Sequence, residues 1–86
     1  MKQIWKAWLT SGPCVIQMPA GAMILHVASQ QGIPCVWFLV DPVKPSVPRT
    51  FNTYGTGQNM PDDPGTYLGT LFTLDGTFVY HIYEED

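Results

Sequence analysis

Glycine and proline fall between every pair of neighbouring apolar runs in this chain, and that punctuation confines it to short elements. Eight glycines and eight prolines stand among 86 residues. A proline inside a helix removes a hydrogen bond and clashes with the preceding turn, so long helices are excluded. The runs left between the breaks carry strand composition, rich in aromatic and β-branched residues. Ile4–Leu9 and Cys14–Met18 read as the first two strands. Met23–Ser29 is compatible with helix or strand by composition, and its length and flanking breaks favour strand. The turn Gln30-Gln31-Gly32 leads into Ile33–Val40, which is apolar on both faces and is therefore expected to be a central strand covered on both sides. Asp41–Pro48 holds three of the prolines and reads as a loop, followed by a strand at Arg49–Tyr54. Thr66–Leu74 and Thr77–Tyr83 form a hairpin around Asp75-Gly76, a dipeptide suited to a type I′ turn. About seven short antiparallel strands predict an all-β fold, a compact sandwich or small barrel, as one domain over residues 1–86.

Counting the faces of those strands exposes an imbalance. Phe78, Tyr80 and Ile82 point one way and Val79, His81 and Tyr83 the other; Trp5, Ala7 and Leu9 oppose Ile4, Lys6 and Trp8. A thin sandwich has one interior, yet both faces are apolar or aromatic. Hydrophobic residues make up 45% of the chain and charged residues 13%, about half the usual share. Loops within the chain could cover the surplus, but a homo-oligomer does so more simply.

Charge narrows the partners. Lys2, Lys6, Lys44 and Arg49 are the only basic side chains and the net charge is -3, too little cationic surface for duplex nucleic acid. The longest apolar run, Ile33–Val40, is far short of the ~18 residues that span a membrane. The first residues, Met1–Lys6, lack the apolar core of a signal peptide, so a cytoplasmic protein is expected. Cys14 and Cys35 stand alone in apolar runs, without a CxxC spacing. They read as small core residues, and the sequence leaves open whether they meet.

No catalytic set can be assembled. Asp41, Asp62, Asp63 and Asp75 sit beside proline, glycine or one another in turns, where Asp is a routine turn former. Ser11, Ser29 and Ser46 have no nucleophile-elbow context, and His26 and His81 have no zinc spacing with the cysteines. A non-enzymatic protein without metal or cofactor is the expectation. The segment with most chemistry is Gly55-Thr56-Gly57-Gln58-Asn59. Its glycines permit close backbone approach, and Thr56, Gln58 and Asn59 offer hydrogen bonds. With Arg49, Tyr54 and Trp37 it could cradle a small phosphate- or base-bearing ligand, the aromatic rings stacking on it. A bulged turn accounts for the glycines equally well.

The succession Met18-Pro19-Ala20-Gly21-Ala22 with Ile24-Leu25-His26-Val27, Gln31-Gly32, Trp37 to Pro42, Arg49-Thr50-Phe51, Gly55-Thr56-Gly57, Tyr67 to Thr70 and Phe78 to His81 resembles a family of small uncharacterised bacteriophage and prophage proteins. The resemblance spans nearly the whole chain and brings no catalytic residues with it. It implies a viral accessory protein in the cytoplasm of the infected host. On that footing an oligomer sequestering a nucleotide-derived immune signal is the expected function. Direct blocking of a host defence protein, or a place in the virion or its assembly, are the alternatives.

Overall fold

The computed structural model describes residues 1–73 and 75–86. Seven strands occur: β1 Gln3–Trp8, β2 Cys14–Pro19, β3 Met23–Gln30, β4 Ile33–Val40, β5 Ser46–Gly55, β6 Thr66–Phe72 and β7 Val79–Glu84. They form two sheets, one ordered β1-β4-β3 and the other β2-β5-β7-β6, with every pairing antiparallel. The fold is a β-sandwich, which decides between the two all-β architectures open to the sequence. Met23–Gln30 is strand, in register with β4 except for a bulge at Leu25.

The core is a single layer between the sheets. Val36, Phe38 and Val40 of β4 and Val27 of β3 meet Met18, Phe51, Leu71 and Ile82 of the other sheet. Leu9 and Ala22 complete the layer from the adjoining connections. No polar or charged side chain is fully buried among the described residues. Buried Phe51 and Ile82 fix the parity of β5 and β7. Arg49, Thr53 and Gly55 therefore share the inner face with Tyr80 and Glu84, while Tyr54, His81 and Tyr83 lie outside. The sandwich closes tightly where β3 crosses β6. A Cβ at Gly69 would stand 2.5 Å from Val27 Cγ2, so only glycine fits there. Beside that crossing, Ser29 Oγ donates to the Phe72 carbonyl at 3.0 Å.

Several sequence expectations need adjustment. β4 is central, but the second sheet covers only one of its faces; Trp37 and Leu39 on the other are half-buried. β5 starts at Ser46, inside the proline-rich segment read as loop. Pro48 is tolerated because β5 pairs only with β2 there, β7 joining from Phe51 onward. The type I′ turn lies at Gln31-Gly32, whose φ values are 53° and 80°, between paired Gln30 and Ile33. Among the described residues of the β6–β7 hairpin only Gly76 has positive φ. The closure is wider, with Thr73 N–H donating to the Phe78 carbonyl and Gly76 N–H to the Thr73 carbonyl. The strand expected to run to Leu74 ends at Phe72, and Leu74 lies outside the described residues. Cys14 and Cys35 are both buried free thiols. Burial holds the Cys35 thiol above its ordinary 9.0.

Candidate functional site

A cleft of about 460 Å³ opens at one end of the sandwich, a size suited to a small ligand. Leu9 to Gly12 from the β1–β2 connection form one wall, with Gly32 and Pro34 beside them. Thr53, Gly55, Gln58, Thr73 and Tyr80 form the other. The inner-face parity of β5 and β7 delivers Thr53, Gly55 and Tyr80 here. Gln58 is folded back over β5: its Oε1 accepts the Gly55 N–H at 2.9 Å, and its own N–H donates to the Gly55 carbonyl at 3.0 Å. That bond orients the amide and leaves its Nε2 hydrogens to donate elsewhere. The lining residues hold several hydroxyls, one amide, an aromatic ring and no charged side chain.

The residues singled out from the sequence divide among four places. Gly55 and Gln58 line the cleft. Gly57, with φ of 87°, shapes the turn between them, and Asn59 is exposed just beyond. Thr56 and Tyr54 belong to the outer face of the four-stranded sheet. There Thr56 Oγ1 lies 2.8 Å from His81 Nε2, and His81 Nδ1 lies 3.0 Å from Thr70 Oγ1. The Tyr54 ring meets Tyr83 edge-on at 5.9 Å, and Tyr83 meets Tyr67 at 5.4 Å.

Arg49 is engaged elsewhere. It lies six positions before Gly55, roughly 20 Å along the strand. Its Nε and Nη2 donate to the two carboxylate oxygens of Glu84, the second at 2.8 Å, and Nη1 donates to the Ala22 carbonyl. The hydrogen bonds and charge of the Glu84 carboxylate raise the Arg49 pKa above its ordinary value. Arg49 thus clamps β5 to the end of β7 and to the β2–β3 connection. Trp37 lies on the outer face of the other sheet, its ring 6.3 Å from His26. The structure brings neither Arg49 nor Trp37 to the Gly55–Asn59 turn. The sequence reading missed Thr53, Thr73 and Tyr80 and the Leu9–Gly12 wall. Strand parity counted from Phe51 would have found Thr53.

Among the described residues, no group of three or more His, Cys, Asp or Glu is placed to hold a metal ion. No described helix is long and apolar enough to cross a membrane.

Two facing antiparallel sheets around one apolar layer, with a neutral cleft at one end, define a small β-sandwich domain. The chain belongs to the family DUF7352, a domain of unknown function, whose model matches residues 1–86. No curated protein and no solved structure matches it.

Proposed function

We propose that this protein is a non-catalytic binding domain that holds the uncharged, ring-bearing part of a small ligand in the end cleft and works as a homo-oligomer. The observation that carries this reading is the lining of the cleft. Apolar Leu9 and Pro34 and the Tyr80 ring stand beside the hydroxyls of Thr10, Ser11 and Thr53 and the oriented amide of Gln58. Such a mixture suits a nucleoside: hydrogen bonds to base or ribose, and apolar contact for the ring. No cation lines the cleft, so any phosphate on the ligand must face solvent or a neighbouring subunit. The resemblance to bacteriophage proteins gives this activity a setting, sequestration of a nucleotide-derived immune signal in the host cytoplasm.

Thermal shift tests the reading. Adenosine, ADP-ribose and a cyclic dinucleotide at millimolar concentration should raise the melting temperature of the wild-type chain, since a ligand that binds only the folded state stabilises it. Gln58→Ala and Thr53→Val should abolish the shift, while Arg49→Ala should lower the starting melting temperature and keep the shift. Absence of any shift, or an undiminished one in both cleft variants, would refute the assignment.

A second reading has its own observation. Ile4, Trp8 and Met23 are 62%, 44% and 59% exposed on the outer face of the three-stranded sheet, a surface suited to blocking another protein. A single host protein retained on affinity pull-down, with no response to nucleosides, would favour it.

A further inference from the structure

The edge of the three-stranded sheet is open at β1, which pairs only with β4. The hydrogen-bonding phase of this strand follows from one contact: Leu9 N–H donates to the Pro34 carbonyl at 2.9 Å. Bonded and non-bonded pairs alternate in an antiparallel ladder, so Ala7, Trp5 and Gln3 also turn their backbone groups toward β4. Ile4, Lys6 and Trp8 turn theirs toward the free edge. The Trp8 carbonyl has a weak donor in Cys14 Sγ at 3.9 Å. An exposed edge of this kind is a template for another strand.

The side chains select the occupant. Lys6 is the one charged residue within β1. Its ammonium is already served inside the chain: Nζ donates to Gln30 Oε1 at 2.7 Å and lies 4.2 Å from the centre of the Trp8 ring. An incoming strand therefore need not bring a carboxylate. What it must avoid is a second cation opposite Lys6. In a two-fold antiparallel pairing of β1 with itself, the registers that overlap most of the strand match same-face residues about Trp5 or about Lys6. Centring on Lys6 sets two ammonium groups face to face, which is unfavourable. Centring on Trp5 sets Lys6 opposite exposed Ile4 of the other copy, where its alkyl stem packs against an apolar neighbour. It also matches the free backbone groups of Ile4 with those of Lys6, twice over by symmetry.

We infer that the partner of the β1 edge is a second copy of this chain, paired antiparallel about Trp5 so that two three-stranded sheets become one six-stranded sheet. This deepens the homo-oligomer part of the proposed function and rests on it. Trp5 then lies beside its symmetry mate, Ile4 beside the other copy's Lys6 and Trp8 beside its Lys2, rather than at a free edge.

Charge swaps on exposed positions test the register, read as the dimer dissociation constant by sedimentation velocity. Ile4→Lys places like charges opposite each other twice and should weaken the dimer roughly tenfold or more. Ile4→Glu places a carboxylate opposite Lys6 and should bind as well as wild type or better. Adding Lys6→Glu to Ile4→Lys should restore affinity to within about threefold, since opposite charges again face each other. Circular dichroism of each variant separates dissociation from unfolding. A wild-type dimer indifferent to all three changes, or a double variant without recovery, would overturn this register while leaving an oligomer formed through another surface. A wild-type monomer would overturn the oligomer as well, and the nucleoside thermal shift would then decide the cleft separately.

Discussion

Gln31 holds a left-handed backbone, φ 53°, that side-chain-bearing residues adopt at a cost of roughly 1–2 kcal/mol. The type I′ turn demands it, and asparagine meets the demand better than glutamine. Gln31→Asn should therefore stabilise the protein by about 0.5–1 kcal/mol in urea denaturation, the scale of other strain-relieving turn substitutions. Asp75 makes a second residue-scale case. Its Oδ1 accepts the Thr77 N–H at 2.9 Å and the Thr73 hydroxyl at 2.9 Å, which lowers its pKa from 3.8 to about 2. A depressed carboxylate contributes stability that is present above its unfolded value and lost as pH falls through the folded one. Wild-type stability should thus decline between pH 3.8 and about 2, and Asp75→Asn should flatten that part of the profile. An equal slope in the variant would show that the hairpin carboxylate contributes nothing there.

At the scale of elements, the β3–β6 crossing and the Arg49 clamp carry opposite lessons. Gly69→Ala drives a Cβ into Val27 and should destabilise by about 1–3 kcal/mol, the usual cost of overpacking. Val27→Ala in the same chain opens the space, so the double variant should be more stable than additivity allows. Arg49→Ala should cost about 1–3 kcal/mol by leaving Glu84 and the Ala22 carbonyl without their donor. Neither feature was legible from sequence. A glycine inside a strand signals close approach without naming the neighbour, and an arginine on a strand near a glycine-rich turn reads as a ligand contact. What placed Arg49 correctly was parity: Phe51 is buried, so Arg49 points inward, toward Glu84 on β7. The strands themselves were legible, because Gly and Pro bounded them and, Met23–Ser29 apart, their composition favoured strand. β4 matched its expected limits, whereas β5 reached back through Pro48, since a one-sided strand tolerates a missing N–H. The cleft was half legible. Gly55 and Gln58 were within reach of local reasoning, but the Leu9–Gly12 wall comes from a connection distant in sequence.

At the scale of the whole molecule, the sandwich is thin: its Cα atoms extend 40 × 30 × 16 Å. One core layer is all such a shape can hold, and among the described residues ten buried apolar side chains fill it. Many other described apolar side chains stay exposed, among them Ile4, Trp8, Met23, Val15, Tyr67 and Phe72. That surface, with only thirteen per cent charged residues in the chain, is the basis of the proposed homo-oligomer. The count of strand faces anticipated this surplus. The structure adds where it lies: Ile4, Trp8 and Met23 on the outer side of the three-stranded sheet, Val15, Tyr67 and Phe72 on the four-stranded one, together with an open edge at β1. Sedimentation equilibrium of the untagged wild-type chain at high micromolar concentration tests the point most directly. The account predicts a mass at least twice the 9.6 kDa of one chain, falling on dilution into the low micromolar range, as suits a small interface. A single 9.6 kDa species throughout, remaining soluble, would contradict it.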